Sequence, residues 1–139
     1  MSSLSESLRQ QVRQRAGNRC EYCLSHQDYI MGRLQIDHIQ PLAKGGLDIE
    51  ENLCLACELC NQYKWVQTEY LDPESGETVS LFNPRQQQWK EHFTWSATGT
   101  EIIGLTACGR ATVAALRLNN NLAVIVRQNW VQAGWHPPS

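Results

Sequence analysis

Asp37-His38-Ile39-Gln40-Pro41, then Gly45-Gly46, then Asn52-Leu53, then Cys57-Glu58-Leu59-Cys60-Asn61-Gln62-Tyr63-Lys64: this stretch decides how the chain is read. His38, Asn52 and Asn61 are spaced by fourteen and then nine residues, and a cysteine pair immediately precedes the last of them. A second Cys-x-x-Cys, formed by Cys20 and Cys23, lies upstream. Thirty-three residues separate the two pairs, a spacing that suits a tetrahedral site assembled from two knuckles. Thiolate ligands favour zinc over harder cations, and metal is the expected use of cysteine in a reducing compartment. A redox Cys-x-x-Cys is the alternative. Cys54 leaves the register open, because Cys54, Cys57 and Cys60 make two overlapping pairs.

Around this stretch the elements can be read from their punctuation. Ser3-Leu4-Ser5-Glu6 is a capping-box pattern, with Leu8, Val12 and Ala16 following at helical spacing and Gly17-Asn18 as the stop. Arg33 to His38 alternates as a strand does, Pro41 to Glu51 is a loop with a Gly-Gly hinge, and Asn52 to Ala56 makes a second short strand. Glu58 to Tyr70 suits a helix carrying Asn61 and Lys64 one turn apart. Leu71 to Thr78 reads as a turn-rich connector. Beyond it, Trp89, Phe93 and Trp95 supply aromatic bulk, and Trp95 to Leu105 suggests a hairpin turning at Ala97-Thr98-Gly99-Thr100. Gly109 to Leu118 and Asn121 to Ala133 read as helices, with Leu116, Leu122, Val126 and Trp130 assigned to the core.

Strand, loop, strand, helix with these residues resembles the HNH endonucleases, nucleases built on a ββα-metal finger, in a variant with Asn in place of His as the third motif residue. The resemblance covers roughly residues 15 to 66. It implies an α+β fold: a small ββα-metal finger with four-cysteine zinc knuckles, added helices and a C-terminal hairpin. The division expected is 1–70 for the nuclease core and 71–139 for an extension packed on the same domain. The resemblance also settles the register on Cys20, Cys23, Cys57 and Cys60 for structural zinc, since Asn61 and Lys64 follow the second pair directly. Cys54 and Cys108 then read as small buried hydrophobes.

The activity implied is metal-dependent hydrolysis of DNA phosphodiester bonds, leaving 5′-phosphate and 3′-hydroxyl ends. A neutral imidazole is a natural base near neutral pH, and His38 is the only histidine in a motif context, so it is assigned activation of water. Asp37 and Asn61 supply hard oxygen ligands for one catalytic Mg²⁺ or Mn²⁺. Many family members have His where Asn61 stands; a neutral amide oxygen favours Mg²⁺ there over Zn²⁺ or Ni²⁺. In the family the middle Asn, here Asn52, bonds across the inter-strand loop and fixes the histidine backbone. Lys64 and Arg19 are the candidate phosphate contacts. His26, His92 and His136 are read as structural.

Composition sets the remaining expectations. The chain has 139 residues, about one domain, and a formal net charge of −2, which argues against strong non-specific binding to nucleic acid. Arg9, Arg13, Arg15 and Arg19 nevertheless form a local basic strip. No apolar run approaches the ~20 residues of a membrane helix and no signal-like segment opens the sequence, so no membrane partner is expected and the location expected is cytoplasmic. Double-stranded DNA is the expected partner, with RNA and a homodimer left open. The competing reading is a non-catalytic, zinc-stabilised module that binds nucleic acid or protein.

Overall fold

A computed structural model of the chain describes residues 4–138, which fall into two compact units. The first takes the chain through Thr68 together with Asn83–Gln87; the second is Glu69–Phe82 with the chain from Gln88 onward.

In the first unit, helix α1 (Glu6–Arg15) starts where the Ser5 hydroxyl accepts from the Leu8 amide, with Glu6 in the first turn and Arg13 and Arg15 in the last, as the helix dipole prefers. The expected Ser3 cap lies outside the described residues. Val12 is fully buried from this helix, and Gly17 and Asn18, both at positive φ, turn the chain into the first cysteine knuckle. Strand β1 (Gln35–His38) pairs antiparallel with β2 (Leu53–Ala56), setting Asp37 opposite Cys54 and His38 opposite Leu53. All four residues of β2 are buried, so it is the central element of the unit. Arg15 donates to the Leu53 and Glu50 carbonyls and pairs with the Glu50 carboxylate, tying α1 to the start of β2. Glu21 bonds the Leu55 amide and pairs with Arg85, which brings Asn83–Gln87 into this unit.

Helix α2 (Glu58–Lys64) is shorter than the sequence suggests. It ends because Trp65 takes a φ of 48°, outside the helical region, and the chain leaves in a new direction. The segment expected to continue the helix and then run as a connector is a hairpin in the second unit, β3 (Glu69–Leu71) against β4 (Thr78–Ser80). Its strands are three residues long and largely exposed, so they carry no alternation to read.

The rest of the second unit is α3 (Trp89–His92), β5 (Phe93–Trp95), β6 (Ile102–Gly104), α4 (Ala107–Ala115) and α5 (Asn121–Ala133). The expected C-terminal hairpin is β5 with β6, so the architecture is α+β with three two-stranded sheets. Phe82, Phe93, Ile102, Leu116, Leu118 and Trp130 form the core; burying each such side chain contributes roughly 1.5–3 kcal/mol. Gly109 lets α4 lie against α3: a Cβ there would meet the His92 carbonyl oxygen at 2.0 Å. Leu122, assigned to the core from sequence, is 60 % exposed. The inward positions of α5 are Trp130 and Arg127, whose guanidinium donates to the Thr100 and Leu118 carbonyls. Cys108 is only half-buried. Among the described residues no helix is long and apolar enough to cross a membrane.

Candidate functional site

Two chemically distinct clusters lie in the first unit. The first is the set of four thiols. Cys20, Cys23, Cys57 and Cys60 bring their Sγ atoms within 4.8 Å of one another, and Cys23 and Cys57 stand 3.7 Å apart. Four sulfurs about 2.3 Å from a central ion lie ~3.8 Å from each other, so the cluster has the size of a tetrahedral thiolate site. In each Cys-x-x-Cys the amide of the second cysteine donates to the sulfur of the first, Cys23 to Cys20 and Cys60 to Cys57, both at 3.4 Å. The Cys57 sulfur thereby also caps α2. Burial pushes the Cys20 thiol well above its usual range, whereas hydrogen bonds from Cys20, Cys57 and Cys60 hold Cys23 well below it. Cys54 lies outside the cluster, against Tyr22 and Asp37, and burial raises its thiol too. Arg19 donates to the Leu24 carbonyl at 2.9 Å, bracing the first knuckle with part of its guanidinium.

The second cluster surrounds the end of β1. Asp37 is 4 % exposed; its carboxylate accepts from the Tyr22 hydroxyl at 2.9 Å and pairs with the Lys64 ammonium at 3.2 Å. Lys64 also donates to the His38 and Ile39 carbonyls, at 3.0 and 3.2 Å. With 1 % of its surface exposed, Lys64 is an internal strut and not the phosphate contact expected of it. The physical reason is the buried carboxylate beside it: a charge in that place requires a counter-ion. Asn61 donates from Nδ2 to Gln35 Oε1 at 2.7 Å, on the exposed side of β1. The resemblance implies Asp37 and Asn61 as joint ligands; in the structure Asp37 pairs with Lys64 and Asn61 bonds Gln35.

His38 sits at the end of β1 with 17 % of its side chain exposed, its Nε2 2.6 Å from Asp48 Oδ1. Asp48 belongs to the inter-strand loop, and Asn52 holds that loop. The Asn52 amide donates to the Gln40 and Leu47 carbonyls at 3.0 and 2.9 Å, and its Oδ1 accepts from the Gln40 amide at 2.8 Å. The Ile39 amide, next to His38, donates to the Asn52 carbonyl. Gly46 is required at the bend, because a Cβ there would lie 1.8 Å from the Gln40 carbonyl oxygen. Sequence reasoning missed Asp48, Tyr22 and Gln35. Asp48 was the most accessible of these, as the one acid of the Gly-Gly hinge segment 45–49.

Residues 20–65 match the model of the HNH endonuclease family. No curated protein and no solved structure matches the chain. The HNH match begins at the first thiol of the cluster and ends just past α2, so it contains both knuckles, both strands and every residue around His38 described above. The second unit lies outside it.

Of the other histidines, His26 accepts from the Asp28 amide through Nδ1 as the cap of a short helical turn. His92 bonds Thr106 and His136 packs edge-on against Trp95 and Trp130. All three serve their local elements.

Proposed function

We propose that the chain is an endonuclease that hydrolyses DNA phosphodiester bonds, with His38 as the general base. The observation that supports this most is the coincidence of the HNH match with a half-buried, carboxylate-bonded imidazole at the end of β1. In the proposed reaction His38 takes a proton from water as the water oxygen bonds to phosphorus. The 3′ oxygen leaves and takes its proton from solvent, giving a 5′-phosphate and a 3′-hydroxyl. Asn52 keeps the His38 backbone and the loop in register. The guanidinium N–H groups of Arg19 not spent on Leu24 are the proposed phosphate contact.

Zinc is the proposed occupant of the four thiols, whose separation and donor type both fit it. Four thiolates leave no open position, so its job is to fold the finger and set the start of α2. Mg²⁺ or Mn²⁺ on Asp37 and Asn61, the catalytic ion that the resemblance calls for, fits less well. The Asp37 carboxylate is buried and already neutralised by Lys64, and an ion there would meet the ammonium as a like charge. That same pairing favours the second reading, a zinc-stabilised module that binds nucleic acid without cutting it.

A 5′-labelled duplex oligonucleotide incubated with zinc-loaded protein in H₂¹⁸O, with Mg²⁺ and with Mn²⁺, separates the readings. The nuclease yields fragments with 3′-hydroxyl ends and ¹⁸O in the 5′-phosphate. An intact duplex that is nonetheless retarded on a gel supports the binding module and contradicts the nuclease. Replacing the duplex by RNA of the same sequence tests the sugar preference.

A further inference from the structure

The loop between β1 and β2 does more than join two strands. It delivers Asp48 Oδ1 to 2.6 Å from His38 Nε2, a short, direct hydrogen bond. An ionised carboxylate can only accept, so Nε2 must carry the proton that bridges them. The ring's other nitrogen, Nδ1, then holds the lone pair, and among the described residues it has no hydrogen-bond partner. The loop is held in place independently of this contact. Asn52 grips the Leu47 carbonyl, one residue before Asp48, and Gly46 lets the chain pass against Gln40 where no side chain would fit.

We propose that Asp48 is a positioning residue: it fixes His38 as the Nε2–H tautomer, clamps the ring, and so assigns the proton-accepting role to Nδ1. This rests on the reading of His38 as the base, and it extends that reading to a residue outside the His38–Asn52–Asn61 motif and to a particular nitrogen atom. A histidine ring with two equivalent choices of tautomer and free rotation about its side chain presents a lone pair to substrate only part of the time. A fixed carboxylate on the opposite nitrogen removes both freedoms. Asn52 and Gly46 acquire a purpose in the same arrangement, since they place the loop that places Asp48.

The test uses the zinc-loaded full chain with ¹⁵N-labelled histidine. Spectra are taken over a pH series, and the tautomer is read on the alkaline plateau, where the ring shifts no longer change with pH. The wild type is expected to show a pyridine-type Nδ1 and a slowly exchanging Nε2–H proton for His38. Asp48→Ala is expected to lose the slow proton and to average the two nitrogen shifts. Asp48 is exposed on a surface loop, and its replacement leaves the core intact. Cleavage by Asp48→Ala should fall on the order of 10–100-fold in kcat with KM nearly unchanged, and Asp48→Glu, which keeps the carboxylate, should recover most of it. A proton on Nδ1 in the wild type, or an Asp48→Ala spectrum identical to wild type, overturns the proposal. Equal losses in the Ala and Glu variants place the effect in loop packing and overturn it as well. The spectra decide the matter even if no nucleic acid is cut: a fixed Nε2–H tautomer in a protein that cleaves nothing removes the base reading of His38 and leaves the clamp standing.

Discussion

The two units are held by different physics. The first places polar chemistry at its centre: four thiols, a buried Asp37–Lys64 pair and a central strand with no exposed residue. The second has an apolar and aromatic core, with Phe82, Phe93 and Trp89 at ring-centroid distances of 5.2 Å from one neighbour to the next. Its buried carboxylate, Asp72, accepts two bonds from Arg110 at 2.9 Å while capping the amides of Glu74 and Ser75. A unit that must hold ionisable groups in fixed places cannot rely on non-directional burial. It needs ligands, counter-ions and tied loops. The second unit relies chiefly on side-chain packing.

The largest way to separate the two is to remove the metal. Chelation, or Cys57→Ser, should cost the first unit about 10 kcal/mol and unfold it, since structural zinc sites supply folding free energy of that order. Amide exchange resolved by residue is the measurement. Protection should vanish through Thr68 and persist in α4 and α5; loss in both units would break the comparison.

Next come the two interiors. Phe93→Ala should destabilise the second unit by about 3–5 kcal/mol through the cavity it leaves. Lys64→Met should cost the first unit a similar ~3–5 kcal/mol for the opposite reason, an uncompensated Asp37 in a dry site. The two are told apart by a second change. Asp37→Asn in the Lys64→Met background should restore much of the stability in urea denaturation, whereas a neutral partner restores nothing to Phe93→Ala.

The smallest effect is acid sensitivity. Hydrogen bonds from Arg110 hold the Asp72 carboxyl well below the usual carboxylate range, outweighing the upward push of its own burial. A carboxyl depressed in the folded state stabilises above its unfolded value, about 3.9, and that contribution fades as pH falls toward the folded value. The second unit should therefore loosen below about pH 4. Arg110→Met should make the tryptophan-fluorescence acid transition begin at higher pH; an unchanged transition would show that the pair does not control it.

What could be read in the sequence follows the same division. The first unit was legible because its chemistry is written in rare residues at fixed spacing. Cys20 and Cys23 stood out by spacing, β1 by its alternation, and the choice of Cys57 and Cys60 over Cys54 came with the family resemblance. Illegible there was which polar groups meet: Lys64 faces Asp37 because both are buried between α2 and the sheet, and Asp48 reaches His38 through a loop with no periodicity. In the second unit the hairpin of β5 and β6 and the two last helices could be read from aromatic and apolar runs, since burial sets them. The hairpin of β3 and β4 could not, because short exposed strands leave no pattern. Leu122 misled because apolar character alone does not fix which face of α5 turns inward; that face carries Arg127 and Trp130.

His38 of the first unit is the proposed base of the cleavage reaction. Supercoiled plasmid incubated in Mg²⁺ and in Mn²⁺ with the zinc-loaded full chain, beside His38→Ala of equal thermal stability and zinc content, puts that role to the test. Nicked or linear product is expected from the wild type, and a rate lower by about 10²–10⁴-fold in His38→Ala. Equal cutting by both proteins, or an uncut plasmid with a folded, zinc-loaded wild type, would contradict it.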